Sequence, residues 1–354
     1  MNFDINKIPH INEIANNGSF NGARSKNTET FQQRCSDCNK IVPSLEEAIK
    51  KSGLRDGMTI SFHHHFRNGD HIINNVLDKL AEMGFKNLTL AASSLSAVHA
   101  PLIEHIRSGL ITHIETSGLR GELAEQISRG LMDFPVVFRS HGGRASAIRS
   151  GELHIDVAFL GAPSCDPYGN ANGYSRDDDD GISCGSLGYA RTDAEFADKV
   201  IIITNNIVSY PNAPWAIPEH DVDYVVRVDD IGDPKGIMSG ATRYTKDPKE
   251  LLIAKTAANV VEAAGYLYDG FSMQMGSGGA SLATARFIRQ KMLDKGIHCR
   301  FALGGITGQI TAMHEEGLID RILDVQSFDL DAAKSLKNNH FHHQISATYY
   351  ASHL

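Results

Sequence analysis

The chain has 354 residues, a length that predicts about two domains. Hydrophobic residues make up 42% of it and charged residues 21%, which is ordinary for a globular protein with a packed core. The net charge of -8 offers no basic surface for nucleic acid, and no apolar run approaches the roughly 18 residues of a membrane helix. We therefore expect no nucleic-acid partner, no membrane contact and a cytoplasmic location. The lack of an apolar signal region and the small number of cysteines also favour this location.

Residues 1–42 are predicted to form an N-terminal arm, because they are rich in Asn, Ser and Thr and show no hydrophobic periodicity. Cys35 and Cys38 lie in this arm with the spacing of a zinc or redox pair. A structural zinc usually needs a second close pair, and the sequence has none. Incidental thiols are therefore favoured over a site.

From residue 43 onward, predicted helices and strands alternate. The first helix begins after Ser44, with Glu47 completing a capping box, and stops at Gly53. Short apolar, β-branched runs between helices predict a buried and mainly parallel α/β sheet. Strands are predicted at 58–63, 88–93, 111–116, 136–140, 155–161, 200–205 and 224–229, and helices at 71–84, 101–109 and 123–132.

The chain then repeats its pattern at a nearly constant offset. The matched pairs are Gly57 with Gly270, Leu90 with Leu303, and Gly109 with Gly317. Any two βαβ units share some likeness, yet fixed spacing over three elements favours duplication. We predict two related α/β domains, a first unit at residues 43–232 and a second unit at 233–354. The second copy stops soon after Ser327, so we expect a truncated chain whose second sheet lacks strands and has bare edges.

Ligands of open α/β sheets bind where the strands end, which makes the strand-to-helix loops the candidate site. In the first unit these loops carry hydrogen-bonding and cationic residues suited to a carboxylate ligand. The candidate substrate-binding residues are His63, His64, His65, Arg67, Gly69, Ser94, Ser117, Gly118, His141, Gly142, Gly143 and Arg144.

No metal is expected in the histidine run. Consecutive strand residues alternate faces, so His63 and His65 alone could act together, and no third ligand is evident. Arg67 instead offers a bidentate fork for a carboxylate, and a histidine can donate to an acyl oxygen. The alternative for any single histidine is an exposed polar residue without a role. The aspartate-rich run at 175–183 is interpreted as a solvated loop.

Glycine-rich turns mark the second unit, and the candidate catalytic residues lie in them: Gly276, Ser277, Gly278, Gly279, Gly304 and Gly305. Backbone N–H groups at such turns can hold an anion or an oxyanion. The segment 276–281 fits neither the phosphate-loop motif nor the dinucleotide fingerprint, so an ordinary tight turn is an equal alternative. A serine hydrolase is not indicated, because Gly-x-Ser-x-Gly is absent.

Several of these stretches together resemble the citrate lyase alpha chain family of the CoA-transferase superfamily, from about residue 45 to the C-terminus. The stretches are "DGMTISFHHHFRNGD", "TSGLRGELAEQISRGL", "SHGGRA", "GELHIDVAFLGAPSCDPYGNANGY", "GFSMQMGSGGASLA", "FALGGITG" and "ILDVQSFD". The resemblance implies two CoA-transferase-like α/β domains that meet at the active site. It also implies a transferase that exchanges acetate for citrate on an acyl-carrier-protein thioester.

The resemblance further implies partners. A beta chain would cleave citryl-carrier, and a gamma chain would bear the CoA-like prosthetic group, so that this chain itself would bind no cofactor. Superfamily members with a covalent glutamyl thioester carry Ser-Glu-Asn-Gly, whereas residues 303–308 here read "LGGITG". The implied route is therefore a mixed anhydride of citrate, with glycine N–H groups holding the oxyanion and with Arg67, Arg144 and the histidines holding carboxylates.

Two other functions stay open at this point. The chain could be a catalytically incomplete fragment that serves as a docking subunit of the citrate lyase complex. It could also be a sugar-phosphate isomerase on a similar fold, which would need a phosphate-binding loop and an enolising carboxylate. Neither of those two features stands out in the sequence.

Overall fold

A computed structural model describes residues 38–63, 65–175, 183–238, 245–276 and 278–351. Cys35, His64, Ser277 and most of the acidic run at 175–183 lie outside these ranges. Cys38 lies inside them and is exposed. No helix in the described ranges is long and apolar enough to cross a membrane.

Strands and helices alternate along the described chain. The strands are β1 (Ile41–Val42), β2 (Thr59–His63), β3 (Leu88–Ala92), β4 (Ile111–Thr116), β5 (Val137–Phe138), β6 (Val157–Gly161), β7 (Ser164–Cys165), β8 (Ala171–Asn172), β9 (Lys199–Thr204), β10 (Tyr224–Arg227), β11 (Phe271–Met273), β12 (Cys299–Ile306), β13 (Ile322–Ser327) and β14 (His342–Gln344). The helices are α1 (Leu45–Ser52), α2 (Ile72–Glu82), α3 (Leu102–Arg107), α4 (Gly121–Ser128), α5 (His141–Ser150), α6 (Gly188–Phe196), α7 (Pro248–Ala263), α8 (Gly279–Lys295), α9 (Gly308–Glu315), α10 (Leu330–Asn338) and α11 (Ala347–Ala351).

The first sheet has eight parallel strands in the order β1-β10-β9-β6-β2-β3-β4-β5. Its central strands β6 and β9 are apolar and buried, as a sheet covered on both faces requires. Phe62 of β2 and Phe159 of the neighbouring strand β6 stack with ring centroids 5.6 Å apart. The α/β fold with mainly parallel strands is thereby confirmed. The last two residues of the predicted arm belong to this sheet, because Ile41 pairs with Val225.

The second sheet has four parallel strands in the order β11-β12-β13-β14. This order repeats β2-β3-β4-β5 of the first sheet. The glycines matched in sequence have matched conformations: φ is 85° at Gly57 and 84° at Gly270, and 76° at Gly109 and 77° at Gly317. In the first sheet β2 also pairs with β6, whereas within the described residues β11 pairs with β12 alone. Among the described residues, β11 is therefore an edge strand of the second sheet.

Local signals explain where several elements begin and end. The Ser44 hydroxyl accepts a hydrogen bond from the Glu47 N–H at 3.2 Å, and Gly53 ends α1 in the left-handed conformation. The helix predicted at 71–84 is α2, and its apolar residues Ile72, Ile73, Val76, Leu77 and Leu80 are buried. The prediction of a strand at 136–140 is wrong for all but two residues, Val137 and Phe138, whose side chains are exposed. Likewise, α4 ends at Ser128 and not at residue 132.

The segment 140–146 was expected to be a loop, and this expectation is wrong. It forms the first turns of α5, where the Ser140 hydroxyl accepts a hydrogen bond from the Gly143 N–H at 3.0 Å. A serine cap at this position satisfies one of the free N–H groups of the first helical turn. The two glycines that suggested a loop lie inside the helix, next to α11.

Hydrogen bonds between buried groups join the two units. The Ser186 hydroxyl donates to the Asp324 carbonyl at 2.7 Å, and the Ser327 hydroxyl accepts from the Ser186 N–H at 3.3 Å. The Thr192 and Thr348 hydroxyls lie 2.9 Å apart. These contacts bring α6 of the first unit against the end of β13 and against α11.

Candidate functional site

His63 is the last residue of β2 and is almost completely buried. Burial lowers its pKa to about 3, and the charge of His65 acts in the same direction. Asp70 opposes this shift, and Arg144 makes a smaller contribution that lowers the pKa further. The ring is therefore neutral at neutral pH. A neutral imidazole can donate and accept hydrogen bonds without adding a charge to the site.

His65 lies behind the strand end and holds the following turn in place. Its Nδ1 is 3.0 Å from Oδ2 of Asp70, and both side chains are buried. The other oxygen of Asp70 accepts the N–H of Ile72 at 2.7 Å at the start of α2. Burial opposes the ionisation of Asp70, but His65 and the helix N–H groups outweigh it and lower the pKa. His65 therefore positions the loop.

Arg67 has the backbone conformation that is rare for residues other than glycine, with φ at 55°. Its Nη1 donates to the Ile237 carbonyl at 3.0 Å, and its Cζ lies 4.9 Å from the centroid of the Phe328 ring in the second unit. Burial lowers the pKa of Arg67, and the positive charge of Arg120 adds to this effect.

Among the described residues, no carboxylate lies within ion-pair distance of the Arg67 guanidinium or of the Arg120 guanidinium. Arg120 is exposed and precedes α4 at the end of β4. Two cations that lie close together without a counter-charge repel each other unless an anion binds between them. The Arg67 guanidinium, on which the positive charge of Arg120 acts, is thus suited to an anionic ligand.

Arg144 does not face this anion-binding region. Its guanidinium makes two bonds to the Asp193 carboxylate, at 2.7 and 2.8 Å, and a third at 3.3 Å to the Ala91 carbonyl. Only 3% of the residue is exposed. The expectation that Arg144 offers its fork to a substrate carboxylate is therefore corrected. Because 140–146 is helical, the side chain points inward to α6, where Asp193 neutralises it.

His141 lies at the first turn of α5, near an aromatic ring that also approaches His63. The Tyr189 ring centroid is 5.2 Å from that of His141 and 6.4 Å from that of His63. Burial, with a smaller contribution from Arg144, lowers the pKa of His141. Burial also raises the pKa of Tyr189, and the neighbouring Tyr350 adds to this. Neutral hydrogen-bonding groups therefore line this part of the junction.

Most of the other predicted residues of the first unit make close packing contacts. A Cβ at Gly142 would lie 2.3 Å from the Ala351 carbonyl oxygen, and one at Gly69 would lie 2.0 Å from the Asp233 carbonyl oxygen. A Cβ at Gly143 would lie 2.9 Å from the Ser140 hydroxyl oxygen. Ser94, Ser117 and Gly118 lie together where β3 and β4 end, with the Ser94 hydroxyl 3.4 Å from the Gly118 carbonyl.

The predicted glycines of the second unit lie at the carboxyl ends of β11 and β12. Gly304 has a φ of 100°, and the β12–β13 pairing shifts register between Gly304 and Gly305, so both are strand residues at an irregularity. Gly278 caps α8, and Gly279 is its first residue. Gly276 precedes them and lies near the Ser281 hydroxyl. Their assignment as oxyanion donors stays a prediction.

Two series of side-chain contacts connect the strand ends of the first unit with those of the second. Arg67 contacts Phe328, whose ring packs on Gly305. His63 approaches Tyr189, which packs with Tyr350 in one cluster, and the Tyr350 hydroxyl accepts a bond from Gln274 Nε2 at 2.6 Å. The end of β2 therefore faces the ends of β11, β12 and β13.

Five residues that contact this region were not predicted from the sequence, because each lies far along the chain from the residue it contacts. They are Arg120, Tyr189, Gln274, Phe328 and Tyr350. A usable signal existed for two of them. Arg120 and Phe328 both belong to loops that follow predicted strands.

In the described ranges, one group of three potential metal ligands lies close together, and it is remote from the histidine run. His154, Asp156 and Asp198 precede β6 and β9, at the amino ends of these strands, with ligand atoms within 4.8 Å of one another. His154 Nε2 lies 3.0 Å from an Asp198 oxygen and 3.6 Å from an Asp156 oxygen, so the histidine contacts both aspartates directly.

The described residues have a CoA-transferase-like α/β fold. The chain is similar to 4-hydroxybutyrate CoA-transferase from Porphyromonas gingivalis, with 18% identity and a TM-score of 0.54 over 90% of this chain and 68% of that chain. It is also similar to the alpha subunit of a malonate decarboxylase from Acinetobacter baumannii. That likeness has 15% identity and a TM-score of 0.60 over 82% of this chain and 52% of that chain. At these identities the likeness concerns the fold alone.

Residues 38–354 match the family model "Citrate lyase, alpha subunit (CitF)", and the chain belongs to this family. It is 58% identical to the citrate lyase alpha chain of Haemophilus influenzae over 313 residues, which are 88% of this chain and 62% of that one. A solved alpha subunit of citrate lyase from Streptococcus mutans, in complex with citrate, is 55% identical. It has a TM-score of 0.86 and covers 90% of this chain and 62% of that chain. The chain thus spans less than two thirds of the length of these relatives.

Proposed function

We propose that this chain is the transferase subunit of citrate lyase, an enzyme of the CoA-transferase type. It would convert acetyl-carrier thioester and citrate into citryl-carrier thioester and acetate. The observation that carries this proposal is the position of the Arg67 guanidinium, which bonds to the Ile237 carbonyl at 3.0 Å and lies 4.9 Å from the Phe328 ring centroid of the second unit. The positive charge of Arg120 also acts on this group. The solved relative from Streptococcus mutans, which holds citrate, supports the choice of ligand.

Citrate fits the charges of this junction. Arg67 would bind one carboxylate through its planar fork, and Arg120 would bind a second, each through charge-assisted hydrogen bonds. His63 and His141 have lowered pKa values, so at neutral pH they would offer neutral N–H groups to the hydroxyl or the third carboxylate. The ligand would also relieve the repulsion between the two cations.

The transfer would proceed without a glutamyl-enzyme, because residues 303–308 contain no glutamate. A citrate carboxylate oxygen attacks the acetyl thioester carbonyl, the C–S bond breaks, and the carrier leaves as a thiolate. The product is a mixed anhydride of citrate and acetate. The thiolate then attacks the citryl carbonyl, a C–O bond breaks, and acetate leaves with the oxygen that citrate supplied.

Backbone groups of the second unit would stabilise the oxyanions of these two steps. The register shift between Gly304 and Gly305 interrupts the β12–β13 ladder at the strand end, and such an irregularity leaves backbone groups without a ladder partner. Gly276, Gly278 and Gly279 lie before and at the start of α8, where N–H groups point out of the helix. Preorganised donors of this kind stabilise developing negative charge.

The proposal includes two partner chains. The thioester would be carried on the CoA-like prosthetic group of the gamma chain, and the beta chain would cleave the citryl group. This chain would bind the prosthetic group as part of its substrate and hold no cofactor of its own.

The test incubates the chain with acetyl-carrier protein and citrate, and follows the carrier by intact mass spectrometry and acetate by an enzymatic assay. Formation of citryl-carrier together with an equal amount of acetate supports the transferase. Binding of the beta and gamma chains in a pull-down without any exchange would select the alternative function, a docking subunit. If neither exchange nor binding occurs, both functions are wrong for this chain.

The route is tested in a single turnover with citrate labelled by ¹⁸O in its carboxylates. The mixed anhydride predicts that the first acetate released carries one label. A covalent glutamyl intermediate would release unlabelled acetate in the first turnover, because the oxygen would then come from the enzyme.

A further inference from the structure

The ring of Phe328, in the second unit, packs closely against the backbone of β12. The residue directly follows β13, and its N–H donates to the Ile306 carbonyl at 2.7 Å. The ring covers Gly305 so closely that a Cβ at that position would lie 2.0 Å from a ring carbon. The ring can therefore take this place only because residue 305 has no side chain.

The same ring contacts the guanidinium of Arg67 from the other unit. The Arg67 Cζ lies 4.9 Å from the ring centroid, within the distance of a cation–π interaction. Beyond this ring, the contact that fixes the guanidinium is the bond from Nη1 to the Ile237 carbonyl at 3.0 Å. The two contacts leave other N–H groups of the planar fork available to a ligand.

We infer that Phe328 is a positioning residue for anion recognition, which acts by holding the Arg67 guanidinium in the orientation that binds a carboxylate. Gly305 contributes to this positioning, because its lack of a side chain leaves space for the Phe328 ring. Arg67 belongs to the first unit and Phe328 to the second, so the carboxylate site is complete only when the two units are docked. This inference rests on the proposed function, since it concerns the site that would bind citrate.

The test measures citrate binding by isothermal titration calorimetry for wild type, Phe328→Leu and Phe328→Tyr. Leucine keeps an apolar side chain but has no aromatic face, and we expect citrate to bind about 3- to 30-fold more weakly, which spans the range of cation–π energies. Tyrosine keeps the face and should restore binding to within about twofold. Phe341→Leu is the matched control, because Phe341 is exposed elsewhere on the second unit.

A double-mutant cycle distinguishes the positioning of Arg67 by Phe328 from a general loss of structure. Adding Phe328→Leu to Arg67→Gln should cause no further loss of citrate binding, because the ring acts through the guanidinium. Melting temperatures of all variants establish that they are folded. If Phe328→Leu binds citrate as wild type does, or if the tyrosine variant is as weak as the leucine variant, the inference is wrong while the proposed function stands. If wild type itself binds no citrate, the proposed function fails first.

Discussion

Acid should destabilise the fold through His63, and the size of the effect follows from its burial. The ordinary pKa of histidine is 6.5, and in the folded protein that of His63 is about 3. Between these two values the unfolded chain binds a proton at this position and the folded chain does not, so the stability from this residue is lost as the pH falls. One pKa unit corresponds to about 1.4 kcal/mol, which gives about 2 kcal/mol between pH 7.5 and pH 5.0.

The assay is urea denaturation of wild type and His63→Gln at these two pH values. Glutamine does not titrate, so the decrease in the free energy of unfolding from pH 7.5 to pH 5.0 should be about 2 kcal/mol smaller in the variant. The general cost of the substitution cancels, because each protein is compared with itself. His154→Gln is the control, since His154 is exposed at the far end of the sheet. Equal pH dependence in wild type and His63→Gln would refute the reasoning.

Other contacts give further predictions. Arg144→Met leaves the Asp193 carboxylate buried without its ion pair, and thermal or urea denaturation should show a loss of about 3–5 kcal/mol. A loss below about 1 kcal/mol would contradict the assignment of Arg144 to this pair. Gly142→Ala places a Cβ 2.3 Å from the Ala351 carbonyl oxygen, so α11 must move away from α5. Chymotrypsin should then cleave near Tyr349 faster than in wild type, and an unchanged rate would count against that packing.

The fold was predictable where one sequence pattern determines one element. The apolar positions of α2 and the β-branched runs of β6 and β9 become buried because periodicity sets which face meets the core. The repeat predicted a second unit related to the first, and the four strands of the second sheet follow the order of β2-β3-β4-β5. The segment 140–146 could not be predicted in this way. Its glycines favour a loop locally, whereas a serine cap and the contact with α11 make it a helix.

The site was predictable to the level of the strand ends and no further. His63 and Arg67 could be named because a buried strand ends in polar residues. Phe328 and Tyr350 could not, since their role depends on how the two sheets dock, and no single element encodes that contact. Arg144 resembled a ligand in sequence because its partner Asp193 is 49 residues away.

The central claim is that the docked units form one anion site around Arg67. The most direct test is calorimetric titration of citrate into wild type and Arg67→Gln, with Arg129→Gln as a control on an exposed arginine. We expect one citrate per chain for wild type and for the control. For Arg67→Gln we expect binding at least about 10-fold weaker, the typical effect of losing hydrogen bonds to a charged group. Equal affinity of wild type and Arg67→Gln for citrate would contradict the account.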